Sequence, residues 1–135
     1  MDLVFFRSIM FYDQKLRKRG SSIHILRNVV NCLAWHPEST MADKWMSPIA
    51  NYLAVASDSC SIMIFDMSKL IKELEATGTE DIIESDQNCT MHKIVATLNG
   101  HSDKVVCLAW SPHFSGHLVS GSYDNIAQVK YIYII

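Results

Sequence analysis

The side chains able to do chemistry in this chain are scattered. Its six histidines (His24, His36, His92, His101, His113, His117) and four cysteines (Cys32, Cys60, Cys89, Cys107) fall in none of the spacings that hold zinc, and no pair reads Cys-x-x-Cys. No Gly-x-Ser-x-Gly, His-Glu-x-x-His or glycine-rich phosphate loop occurs. No catalytic residue, metal site or cofactor is therefore expected, and the chain reads as not an enzyme. Non-covalent recognition remains. Lys104 and Tyr123 supply a cation and an aromatic ring, the types that hold single-stranded RNA by phosphate contact and base stacking. They become a site only if the elements around them bring them together.

Composition narrows the class. The chain has 135 residues, 49% hydrophobic and 19% charged, with a net charge of −2. That balance suits a soluble globular fold and gives no global pull toward nucleic acid or membrane. Lys15, Arg17, Lys18 and Arg19 form a basic run, and Glu73, Glu75, Glu80, Asp81, Glu84 and Asp86 an acidic stretch. Both read first as solvated segments, the basic run alternatively as a nuclear-import signal or phosphate contact. No apolar run approaches the roughly 20 residues that span a bilayer, so no membrane partner is expected. The opening "MDLVFFRSIMFY" is a poor signal peptide, because Asp2 leads it and Arg7 interrupts it. Free thiols in a reducing compartment follow, and the sequon at Asn88 should stay unmodified.

The elements show themselves through an internal echo. Cys32-Leu33-Ala34-Trp35-His36-Pro37 returns 75 positions later as Cys107-Leu108-Ala109-Trp110-Ser111-Pro112, with Val30 answering Val105. "LAVAS" at 53–57 then answers "LVSGS" at 118–122 with an offset of 65, and Ile62-Met63-Ile64-Phe65 falls opposite Ala127-Gln128-Val129-Lys130. The ten-residue difference lies in the first copy's segment 38–52, a loop expansion that holds Trp45. Short runs rich in Val, Ile, Leu and aromatics, bounded by Pro, Gly, Ser or Asp, predict strands at 29–35, 53–56, 62–65, 94–98, 105–110, 118–122 and 126–129. Leu70, Ile71 and Leu74 predict a short helix within 68–75, opening an acidic loop. Trp35, Trp110, Cys32 and Cys107 are expected in the core, and Trp45 is the tryptophan expected to be exposed.

"GHSDKVVCLAWSPHFSGHLVSGSYDNIAQV" (100–129) resembles a WD repeat, the four-stranded blade of a β-propeller. It has Gly-His at 100–101, the strand ending Ala-Trp-Ser-Pro, and the Ser-Gly-Ser-x-Asp turn at 120–124. "VVNCLAWHP…LAVASDSCSIMIFD" (29–66) is similar to a degenerate WD repeat, with Phe65-Asp66 in place of Trp-Asp. The resemblance implies an all-β fold: a β-propeller fragment of about two antiparallel blades, with a short helix in an insertion. The division is an unassigned N-terminal segment 1–28, a degenerate repeat 29–66, a helical and acidic insertion 67–91, a second repeat 92–129 and a divergent tail 130–135. The family continues directly into Trp-Asp where this chain has Lys130-Tyr131, so the tail is expected to be a truncated or mis-spliced reading frame. Fewer than two full repeats cannot close a ring of four to eight blades, so the chain is expected to be a fragment with open faces and edges.

The resemblance also implies sites. In WD blades a His, a Ser or Thr, an Asp and a Trp form a hydrogen-bonded tetrad, matched here by His101, Ser122 and Asp124, with Lys130 at the Trp position. In the first copy Leu26 and Ser59 stand at the His and Asp positions, so both blades should be soft. Lys104 precedes the first strand of its blade and Tyr123 precedes the third, on the rim where propellers bind. Over 29–129 the chain is further similar to the snRNA-recognising WD-repeat subunit of the Gemin family. That likeness implies RNA binding through Lys104 and Tyr123, with small nuclear RNA or its methylated cap and the other subunits of the survival-motor-neuron complex as partners. It also implies a cytoplasmic and nuclear location. The bland reading of the same residues is a solvated lysine and a ring packed on the neighbouring turn. Val29 and Asp58 hold the matching places in the first copy, where Asp58 would repel phosphate.

Overall fold

The computed structural model describes residues 8–9, 23–24, 29–37, 51–68, 93–114 and 116–132, and within them the fold is built from antiparallel strands. The strands are β1 (Ser8–Ile9), β2 (Ile23–His24), β3 (Val30–Trp35), β4 (Tyr52–Ser57), β5 (Ile62–Asp66), β6 (Lys93–Leu98), β7 (Val105–Trp110), β8 (His117–Ser122) and β9 (Ala127–Tyr131). A minimal ribbon pairs β1 with β2; β3-β4-β5-β6 form a four-stranded meander and β7-β8-β9 a three-stranded one. These are two neighbouring blades of the propeller kind. The expected helix at 68–75 lies outside the described residues beyond Ser68, as does Trp45. No helix among the described residues is long and apolar enough to cross a membrane.

The sequence echo is reproduced hydrogen bond by hydrogen bond. Cys32, Leu33, Ala34 and Trp35 pair with Ala56, Val55, Ala54 and Leu53, and their repeat mates Cys107, Leu108, Ala109 and Trp110 pair with Gly121, Ser120, Val119 and Leu118. Both sheets carry the same register shift, after Val30 and after Val105. The links closing each meander match too: His36 N donates to Tyr52 O as Ser111 N does to His117 O, each at 2.9 Å. Met67 N donates to Asn51 O as Ile132 N does to Gly116 O. The offsets of 75 and 65 are thus a structural equivalence.

Period-2 alternation decides what each sheet buries. Ala54, Ala56, Ile62 and Ile64 lie on one face of the first sheet and form a single buried cluster with Val105, Trp110 and Leu118 of the second. Cys32, Ala34 and Leu108 pack at its margin. Small residues on the receiving face let Trp110 approach closely enough for its Nε1 to donate to Ala34 O at 2.9 Å. Asn31 Nδ2 donates to Val105 O at 2.9 Å, a second polar tie between the sheets.

Two core expectations are corrected. Trp110 is 7% exposed, but its repeat mate Trp35 is 43% exposed. Both stand on the same side of their sheets; on the first sheet that side is buried at Leu53, Val55 and Phe65, while Trp35 on the outer strand β3 stays half open. Cys107 is exposed because alternation turns it away from Trp110 onto the outer side. β6 contributes one more observation. Residues 93–98, which precede the Gly-His of the second repeat in sequence, add to the outer edge of the first sheet beside β5. Sequence repeat and blade are therefore offset by one strand, which interlocks the two sheets. At the other end Lys130 and Tyr131 complete β9, so the sheet runs into the tail.

Candidate functional site

The loop from Asn99 to Lys104 and the turn from Ser122 to Ile126 meet at one rim of the second sheet. Asp124 holds them together. Its Oδ1 accepts Ile126 N at 2.9 Å, and its Oδ2 accepts Ser102 N at 3.0 Å and contacts His101 Nδ1 at 2.8 Å. The turn needs Asn125 at φ 65, a conformation that asparagine tolerates better than most residues. Burial pushes the Asp124 carboxyl up, but the His101 ring and the Ser102 and Ile126 amides outweigh it and hold the pKa below the ordinary carboxylate value.

The serine of this network is Ser120, not Ser122. Ser120 Oγ lies 2.7 Å from His101 Nε2 and also reaches Gln128 O at 3.5 Å. Ser120 is 1% exposed and His101 7%, so the contact is buried. Ser122 shares the face but ends the strand. There its hydroxyl donates to Asp103 O at 3.0 Å and accepts Asp124 N at 3.2 Å, closing the turn. Alternation puts both serines on the Leu118 face, and only Ser120 lies deep enough to meet the buried ring. The fourth place is taken by Lys130, whose Nζ donates to Asn99 O, while Gln128 Nε2 donates to Gly100 O at 3.0 Å. The Gly-His loop is thus bonded to β9 without a tryptophan. Gly100 sits at φ +134, a backbone conformation that residues with a Cβ rarely adopt, so this turn requires glycine.

Lys104 and Tyr123 are brought together on this rim. Tyr123 N donates to Lys104 O at 3.1 Å, and Lys104 Nζ sits 4.8 Å from the centre of the Tyr123 ring, a cation–π contact. Tyr123 remains 60% exposed. The backbone link recurs in the first repeat, where Asp58 N donates to Val29 O at 2.9 Å. The side chains there do not support the same chemistry, because Asp58 Oδ1 accepts Asn31 Nδ2 at 3.0 Å and leaves a carboxylate on the rim. Ser59, at the position of Asp124, accepts Ser61 N through its hydroxyl at 3.1 Å. Among the described residues no cluster of three or more His, Cys, Asp or Glu could hold a metal ion.

The "WD domain, G-beta repeat" family model matches residues 20–66 and 92–129, covering both sheets. Gem-associated protein 5 from Homo sapiens is 32% identical over 101 residues, 75% of this chain and 6% of that protein, and its counterpart from Mus musculus is 33% identical over the same lengths. Anaphase-promoting complex subunit cdc20 from Dictyostelium discoideum is 38% identical over 98 residues, 58% of this chain and 19% of that one. The chain therefore spans a small part of the relatives it matches. Repeated register, the rim network closed by His101, Ser120 and Asp124, and the match over both sheets agree: the chain belongs to the WD-repeat family.

Proposed function

We propose that this chain is a non-catalytic RNA-binding and scaffolding module that recognises small nuclear RNA for Sm-core assembly in the survival-motor-neuron complex, in the cytoplasm and nucleus. The observation that carries the reading is the exposed Tyr123 ring with Lys104 Nζ 4.8 Å from its centre. One ring face is taken by the lysine; the other receives a base or a methylated guanine, and the ammonium, already at the rim, pairs the adjoining phosphate. Stacking of this kind is worth about 1–3 kcal/mol per base. The likeness to Gem-associated protein 5 supports RNA as the ligand class. A capped small nuclear RNA fragment titrated at two salt concentrations against wild type, Lys104→Ala and Tyr123→Ala tests it. Each substitution should weaken binding about tenfold, or about 1.4 kcal/mol. Salt-sensitive binding left intact in both variants would remove the site from this rim.

A second reading has its own support. Anaphase-promoting complex subunit cdc20 and Histone acetyltransferase type B subunit 2 from Debaryomyces hansenii, 32% identical over 93 residues, are by their names subunits of protein assemblies. On that reading the rim binds a protein peptide, and the acidic stretch and Trp45, both outside the described residues, carry more of the contact. Peptide binding through apolar groups stays nearly constant with salt, whereas phosphate pairing weakens steeply.

A further inference from the structure

We propose that Asp58 of the first sheet makes the rim selective for guanine, by accepting the hydrogen-bond donors on that base's Watson–Crick edge. The inference rests on the reading above, in which Tyr123 stacks a base. One peptide group joins the two halves of the site. The carbonyl of Lys104 accepts Tyr123 N at 3.1 Å, and the Val105 amide, in the same peptide unit, donates to Ser59 O at 3.4 Å. Tyr123 and the Asp58-Ser59 turn therefore flank a single peptide plane, one from each sheet. Asn31 tightens the seam: its Nδ2 donates to Val105 O at 2.9 Å and to Asp58 Oδ1 at 3.0 Å. A base on the exposed Tyr123 ring extends its edge across this seam toward Asp58.

What that edge meets is a set of acceptors. Both hydrogens of the Asn31 amide are committed, so Asn31 offers a ligand only its Oδ1, and Asp58 offers Oδ2. Both residues are exposed. Asp103, by contrast, turns its Oδ1 back to the Lys104 amide at 2.7 Å. Guanine is the base whose Watson–Crick edge sets two donors side by side, N1–H and the N2 amino group. Adenine pairs one donor with one acceptor there, and uracil holds one donor between two acceptors. An acceptor-only surface therefore suits guanine, and the Asp58 charge strengthens the bonds. The carboxylate that repels phosphate thus serves the base, and the phosphate falls to Lys104. An arginine side chain would satisfy the same acceptors, but Lys104 beside the ring opposes a second positive charge.

Short oligouridines carrying one central guanosine, adenosine or inosine, titrated against the full chain, test the proposal. Wild type should bind the guanosine RNA about tenfold or more tighter than the adenosine RNA, the discrimination that one bidentate pair gives. Inosine keeps N1–H but lacks the N2 amino group, so it should fall between. Asp58→Asn keeps an oxygen for Asn31 and turns an amide donor outward, so the preference should pass from guanosine to adenosine. Tyr123→Ala should weaken all three RNAs alike, which checks stacking separately. Equal binding of the three RNAs by wild type, still lowered by Tyr123→Ala, overturns the guanine inference and leaves the RNA site standing. A guanosine preference that survives Asp58→Asn overturns it too. No binding of any RNA, or Asp58-dependent binding of an arginine peptide alone, overturns both. The wild-type series needs no substitution and decides the matter even if a variant misfolds.

Discussion

At the scale of single residues, the rim network turns on which serine faces His101. Removing Ser120 Oγ strands a buried imidazole nitrogen, a cost of about 1–3 kcal/mol, whereas water can replace the half-buried Ser122 hydroxyl. Ser120→Ala should therefore lower the urea midpoint clearly more than Ser122→Ala does. The Asp124 carboxyl gives a pH prediction with a definite sign. Its pKa in the fold lies below the ordinary 3.8, so its stabilisation is present in full above that value and is lost as pH falls through the lowered one. Between about pH 6 and about pH 3, urea midpoints should fall further for wild type than for Asp124→Asn, which starts lower and carries no titrating carboxylate there. Motif spacing made His101 and Asp124 legible in the sequence. It misassigned the serine because Ser120 and Ser122 share a strand face, and only burial separates them.

At the scale of elements, every strand from β3 to β9 could be read from short apolar runs between turn residues, since each blade repeats one pattern of alternation and punctuation. What could not be read was how far the packing on each sheet reaches over its outermost strand. Trp35 and Trp110 both follow Cys-Leu-Ala and hold the same strand position, yet they end at 43% and 7% exposure. Their difference belongs to the packing of sheets, which local sequence does not encode. The contact itself can be probed at Trp110. Trp110→Phe keeps an aromatic ring but leaves Ala34 O without its indole donor, so it should cost about 1–3 kcal/mol. Because that bond joins β3 to β7, hydrogen exchange should quicken in both sheets; loss confined to β7 would show that they open independently. A turn offers a contrasting test. Gly116 sits at φ +81, and a Cβ there would lie 2.8 Å from the backbone oxygen of Ile132. Gly116→Ala should therefore destabilise by at least the roughly 1–2 kcal/mol of a left-handed residue, seen as a lowered Tm.

For the whole molecule, charge limits how RNA can be held. A net charge of −2 and a pI near 6.3 provide no long-range attraction to a polyanion, so affinity has to come from local geometry. On the rim, Lys104 is the cation beside Tyr123, and the Asp103 carboxylate accepts the Lys104 amide at 2.7 Å, bringing a negative group close by. The number of phosphates neutralised should therefore be small. For single-stranded RNA each one contributes about −0.7 to the slope of log affinity against log salt. A site resting on Lys104 predicts a slope near that single-contact value, and a flat response in Lys104→Ala with stacking on Tyr123 still measurable. A slope several times steeper that survives Lys104→Ala would assign the phosphate contacts to other cations, the run from Lys15 to Arg19 being the densest in the chain. Tyr123→Ala should show the opposite signature, a loss of affinity at every salt concentration with the slope unchanged. Stacking sets the height of the binding curve and the ammonium its tilt, so the two substitutions separate the halves of one site.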